Sequence, residues 1–121
     1  MSNSLSVLVS LQPLSVNKAW QGRRFKTNIY KSYEREAFII LPRKEMVKGD
    51  VEVFYEFGLK KSSYAISDVG NLEKCLSDIL VKKGYIEDDR KIIALHLTKV
   101  VSSEYYVKVD IKNYEPRKKK I

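Results

Sequence analysis

The chain opens on a period-two pattern. Leu5, Val7 and Val9 are interleaved with Ser4, Ser6 and Ser10, a period of two that predicts a first strand ended by Pro13. Ser32 is placed to start a helix, with Glu34 and Glu36 in its first turn, where carboxylates suit the positive end of the helix dipole. Tyr33, Ala37, Ile40 and Leu41 form the apolar stripe of that helix, and Pro42 stops it. A polar connection runs to Gly49 and Asp50. Val51, Val53, Tyr55 and Phe57 then alternate with Glu52, Phe54 and Glu56 in a second, half-buried strand. Residues 58–67 read as a loop carrying Lys60 and Lys61. From Asp68 to Lys83, Val69, Leu72, Leu76, Ile79 and Leu80 recur at helical spacing. Ser67 or Asp68 supplies the N-cap, Gly84 the C-cap, and Lys82 and Lys83 suit the negative end. Ile93, Leu95 and Leu97 alternate with Ala94, His96 and Thr98 in a third strand that runs to Val101. Ser102-Ser103-Glu104 reads as a hairpin turn, and Tyr105, Val107, Val109 and Ile111 as a fourth strand. The order β-α-β-α-β-β predicts a single α+β domain with two helices on a mostly antiparallel four-stranded sheet. Neither a repeat nor an internal linker interrupts it.

Charge sharpens this picture. The 121 residues fit one domain, and 44% hydrophobic content supplies a small core that oligomerisation would enlarge. Lys and Arg number 23 against 15 Asp and Glu, a net charge of +8. That excess favours a polyanionic partner, nucleic acid or an anionic membrane surface, over the plain reading of a basic soluble protein. Between residues 15 and 31, Lys18, Arg23, Arg24, Lys26 and Lys31 are interleaved with Trp20, Phe25 and Tyr30, with no acid among them. Such cations contact phosphates and such aromatics stack on unpaired bases. The alternative is a solvated loop anchored by its aromatics. After Pro116, Arg117-Lys118-Lys119-Lys120 forms a basic tail over 116–121, either solvated or adding phosphate contacts.

One cysteine, Cys75, and one histidine, His96, exclude an internal disulfide and a Cys/His zinc site. His96 on its strand reads as a satisfied or exposed side chain. No apolar run approaches the ~20 residues that span a bilayer, and Met1-Ser2-Asn3-Ser4 lacks the basic start of a secretory signal. A reducing cytoplasm, and no membrane, is the expectation.

Two acidic clusters bracket the second helix: Asp68 to Glu73 at its start, and Glu87-Asp88-Asp89 beyond its end, with Asp78 between. Crowded carboxylates repel one another, and a metal ion relieves the repulsion. A metal on a basic protein points to a phosphodiester substrate. Each acid also has a plainer reading, Asp68 as a cap, Glu73 and Asp78 as a polar helix face, and 87–89 as a turn. A basic nucleic-acid-binding module in which the acids do nothing else therefore stays open.

The run Asp68-Val69-Gly70-Asn71-Leu72-Glu73-Lys74, then Asp78, then Lys83-Gly84-Tyr85-Ile86-Glu87-Asp88-Asp89, resembles the signature of the RusA Holliday junction resolvases. That family carries Asp-x-Asp-Asn-x-x-Lys, a helix, and Gly-x-x-x-Asp-Asp. Pro13 to Asn17 is similar to its N-terminal Pro-Ser-x-Asn segment, so the resemblance spans most of the chain, with 1–115 as the domain. It implies a homodimeric, Mg²⁺-dependent endonuclease, with Mn²⁺ as the alternative metal, that resolves four-way or other branched DNA by paired nicks in recombination and repair. Carried over by position, it makes Asp68, Lys74 and Asp89 catalytic, and Asp68, Asp88 and Asp89 the metal ligands. Gly70, Asn71 and Glu73 belong to the motif, and Lys18, Arg23, Arg24, Lys26 and Lys31 become the DNA contacts. It also implies a bacterial host, with a phage or prophage as the source. One position departs: Gly70 stands where the family has its second aspartate. Glu73, Asp88 or Glu56 then has to compensate, or the protein binds junctions and cuts them poorly. Asp68 and Lys83 lie on the order of 20 Å apart along the helix. Asp89 therefore reaches Asp68 only if the loop doubles back or a second subunit supplies it.

Overall fold

Ser4, Ser6 and an exposed Leu8 on one face, with buried aliphatics on the other, make the first strand two-sided. β1 (Ser4–Val9) buries Leu5, Val7 and Val9 and turns its serines outward. The computed structural model describes residues 4–15, 20–21 and 25–116. A two-residue pair, β2 (Trp20–Gln21) and β3 (Phe25–Lys26), leads into α1 (Asn28–Ile40). This helix starts one turn earlier than Ser32, because Thr27 caps it: its hydroxyl accepts the Tyr30 N–H at 3.1 Å. Glu34 therefore falls in its second turn and Glu36 in its third, not in the first. Tyr30, Tyr33, Ala37 and Leu41 are buried, whereas Ile40, placed on the stripe from sequence, is exposed beside Phe38 and Ile39. The helix ends where Pro42 has no N–H to continue it.

β4 (Val51–Leu59) follows, then α2 (Lys61–Ile66), α3 (Val69–Lys83), β5 (Ile92–Val101) and β6 (Tyr106–Asn113). The sheet runs β1-β6-β4-β5. It is mixed: β1–β6 and β4–β6 are antiparallel, but β4 and β5 are parallel. Two expectations are corrected here. A parallel β4–β5 pair needs a crossover, which α2 and α3 provide. And 102–104 is not a hairpin turn, because β6 lies on the far side of β4 from β5. The connection passes over the end of β4, where the Ser102 N–H donates to the Leu59 carbonyl at 2.8 Å.

α2 gives the described residues three α-helices rather than two. Its six residues bury no side chain and have no side-chain cap, so no apolar period announces it. Contacts from elsewhere hold it. Ser63 Oγ lies 2.7 Å from the Tyr105 hydroxyl, and Lys99 binds its last carbonyls.

One cluster unites the inward residues of the helices with Val53, Tyr55, Phe57, Val107, Val109 and Ile111. The other face of the sheet carries the polar alternates. There His96 donates to or accepts from Glu52 at 2.6 Å and stacks on Phe54 at 4.4 Å, as a satisfied histidine should. Leu95 and Leu97 do face the core side, opposite Val53 and Tyr55. Ile93 falls at an irregularity between the Val51 and Glu52 pairings, and on this edge strand both it and Leu95 remain exposed. Gly58 is the residue that close packing demands, since a Cβ there would sit 2.4 Å from the Tyr106 ring.

Cys75 is 1% exposed in this core. Burial, reinforced by the Asp78 carboxylate, pushes its thiol from 9.0 up to about 11. Two pKa units amount to about a hundredfold less thiolate. The expected outcome at pH 8 is labelling by a thiol reagent at least about a hundredfold slower in the native than in the unfolded chain. Equal rates in the two states would put Cys75 outside the core. The described residues include no helix long and apolar enough to cross a membrane. The tail residues 117–121 lie outside the described residues.

Candidate active site

Asp68 stands where α2 gives way to α3. Its backbone is extended, and its Oδ1 accepts the Gly70 N–H at 3.0 Å while its carbonyl accepts the Asn71 N–H at 3.0 Å. This is an N-cap, which satisfies a donor the helix itself leaves orphaned. The carboxylate remains exposed, as do Gly70 and Lys74; Asn71 and Glu73 are half-buried. Glu73 turns inward, where it accepts the Ser77 hydroxyl. Ser77 Oγ in turn lies 2.8 Å from the Tyr55 hydroxyl, whose pKa burial drives far above that of an ordinary tyrosine.

Lys99 was not singled out from the sequence, yet it anchors this end. Its ammonium donates to the carbonyls of Tyr64 at 2.7 Å and Ser67 at 2.9 Å, and lies 4.5 Å from the Tyr64 ring centre. A cation here meets the unsatisfied carbonyls at the end of α2 and fixes the residues that deliver the chain to Asp68. The available signal was a lysine in period-two register with Leu95 and Leu97, on the face meant for the core.

The other acidic cluster forms at the far end of α3. Gly84, at φ +86°, closes the helix in the left-handed conformation that favours glycine, and the chain turns back. Asp88 caps a single 3-10 turn (Asp89–Lys91) through the Arg90 N–H at 2.9 Å and pairs with the Arg90 guanidinium at 3.2 Å. Hydrogen bonds from Arg90 hold its carboxyl well below the usual range. Asp88 and Asp89 line a hollow of about 280 Å³ with Asp78, Lys26, Tyr30 and Lys82. The Tyr30 hydroxyl donates to Asp78 Oδ2 at 3.5 Å. Lys26 and Lys82 both pair with Glu34, at 2.9 and 2.6 Å. Partial burial raises the Glu34 pKa, but hydrogen bonds from those two ammoniums outweigh it and leave the carboxyl below its ordinary value.

The loop therefore doubles back only part of the way. It brings Asp88 and Asp89 to Asp78, ten residues beyond Asp68, which is about 15 Å along the helix axis. Asp68 caps the start of α3, Lys74 lies six residues further on, about 9 Å along the axis, and Asp88 and Asp89 stand with Asp78 beyond it. Among the described residues, no three carboxylate, imidazole or thiol groups stand together where they could hold a metal ion. Within one copy, Asp68, Asp88 and Asp89 do not fit a common Mg²⁺ site. Glu56 does not compensate for Gly70, because it lies on the opposite face of the sheet and accepts the Tyr106 hydroxyl at 2.6 Å. Of the basic residues read as DNA contacts, Lys31 is exposed and Lys26 is engaged by Glu34, while Lys18, Arg23 and Arg24 lie outside the described residues.

Comparison with known families returns a match to the model described as "Endodeoxyribonuclease RusA", over residues 11–112. A search of curated proteins returned no match.

Proposed function

The chain belongs to the RusA endodeoxyribonuclease family, and from that premise we propose that it is a structure-selective endonuclease that resolves four-way DNA junctions by paired symmetric nicks. The family is one of nucleases that hydrolyse DNA, and its members generally depend on a divalent metal. The observation that carries the finer reading is Asp68. It is an exposed carboxylate at the N-terminus of a helix, the end that favours anions, with Asn71 and Lys74 following in the order of the family motif. Lys74 is exposed and supplies a cation for charge developing on the scissile phosphate. The net charge of +8 draws the polyanion in.

The separation of Asp68 from Asp89 shapes the rest of the proposal. A homodimer in which Asp68 of one copy meets Asp89 of the other would complete the site and give Mg²⁺, or Mn²⁺, its ligands. A twofold dimer also presents two equivalent sites, which suits two symmetric nicks on a junction of approximate twofold symmetry. The domain of this activity is 1–115, with 116–121 as a basic tail. Its setting is recombination and repair in a bacterial cytoplasm, with a phage or prophage as the source.

Complementation tests the shared site. Asp68→Asn and Asp89→Asn copies, each inactive alone, are mixed and allowed to exchange. In a shared-site dimer, half the dimers are mixed and each regains one intact site. The expected nicking is thus about a quarter of wild type. A mixture as inactive as its parents would place each site within one copy. Gly70 favours a second reading, a junction-binding protein of the same fold that cuts weakly.

A further inference from the structure

A second feature adjoins Asp68. Between the start of α1, the chain at 12–15, α2 and Tyr105 lies an open cleft of about 600 Å³, within the range of small-ligand sites. Ser67, the residue before Asp68, is part of its wall. Its mouth holds an oddity: Ile29 on α1 is 58% exposed and Ile66 on α2 is 87% exposed. Two large aliphatics in water, contributed by different elements and lining the same cleft, are not explained by the core. The remaining polar lining includes Gln12 and Asn28, and among the described residues Glu36 is its one charged side chain. Lys60 reaches the wall only through the Tyr105 ring, 5.3 Å from its centre, so among the described residues the lining itself is mostly apolar or uncharged polar, unlike a phosphate site.

The chemistry suits a different part of DNA. A nucleobase has two apolar π-faces and a hydrogen-bonding edge without formal charge. Aliphatic and aromatic surfaces cover faces of that kind, and the amide and hydroxyl groups of Gln12, Asn28 and Ser67 serve such an edge. The α2 wall is also held in place before any ligand arrives, by Lys99 on the carbonyls of Tyr64 and Ser67 and by Tyr105 on Ser63. Preorganisation of this kind lowers the ordering cost of binding. We propose that the cleft bounded by Ile29, Ile66 and Tyr105 is a nucleobase site that takes one unstacked base of the DNA whose backbone lies at Asp68. The proposal deepens the junction-nuclease reading and rests on it for the source of that base, but its test needs no cleavage.

The test uses the full chain in EDTA. Two short single strands, one intact and one abasic at several positions, are titrated by fluorescence anisotropy against the wild type and against an Ile29→Ser, Ile66→Ser double variant. Both substituted side chains are largely exposed, so the fold stands. The wild type is expected to bind the intact strand about tenfold more tightly than the abasic one, the size of one base stack. The double variant should bring that ratio below about twofold while binding the abasic strand as before. A four-way junction with 2-aminopurine beside the crossover should brighten on binding to the wild type and stay dim with the variant.

Equal affinity of the wild type for intact and abasic strands overturns the proposal. So does a variant that keeps the base preference but changes oligomeric state in sedimentation, which would make the cleft a seat for another protein chain. If intact strands outcompete abasic ones while four-way and duplex DNA bind alike at matched salt, the nucleobase site stands and the junction reading falls.

Discussion

Asp68→Asn is expected to leave the fold standing and to lower four-way junction cleavage by at least about a hundredfold, the scale of removing one group that acts on the transition state. The two halves of that expectation come from the same geometry. Asp68 is an N-cap, and asparagine caps a helix as well as aspartate does. The side chain is exposed, so its replacement opens no cavity in the core. What asparagine lacks is the charge. Asp68→Ala separates the roles from the other direction, because it loses the cap as well and should cost about 1 kcal/mol in stability. Thermal melting and cleavage measured on both variants decide the matter. Equal activity in wild type and Asp68→Asn would reduce Asp68 to its cap.

Gly70→Asp is expected to raise cleavage on the order of tenfold, the scale on which groups around a metal alter its affinity. Gly70 does not need to be glycine. It has no positive φ, it lies in the first turn of α3, and a Cβ there would meet only Asp68 Oδ1, at an ordinary 3.5 Å. Replacing a helical glycine and adding a carboxylate at the positive end of the helix both stabilise, by about 0.5–1 kcal/mol together. Repulsion from Asp68 works against that gain until a cation neutralises the pair. The melting temperature of Gly70→Asp should therefore rise with added Mg²⁺ by more than that of the wild type. Identical metal responses in the two proteins, with no gain in cleavage, would show that no ion is held near Asp68.

How far the sequence could be read depended on what carried each signal. α3 was legible to within a residue, because its apolar period, a cap at Ser67 or Asp68 and a glycine stop agree. β1, β4 and β6 were legible from alternation. The start of α1 was misplaced because Thr27, a cap hidden in a basic stretch, outranks Ser32. α2 left no trace, since its stability comes from Lys99 and Tyr105, distant in sequence. Strand direction was also invisible: β5 has the same alternation whether it lies parallel or antiparallel to β4. For the site, residue identities were readable and their distances were not. The motif orders Asp68, Lys74 and Asp89 along the chain, but only the path beyond Gly84 shows that Asp89 stops beside Asp78.

The most direct measurement incubates the wild-type protein with a labelled four-way junction and with the matching duplex, at one salt concentration, in Mg²⁺, in Mn²⁺ and in EDTA. The expected result is a pair of symmetric nicks in the junction, dependent on metal and absent from the duplex. A junction left intact in both metals, and bound no more tightly than the duplex, would contradict the assignment of this chain as a junction-resolving nuclease.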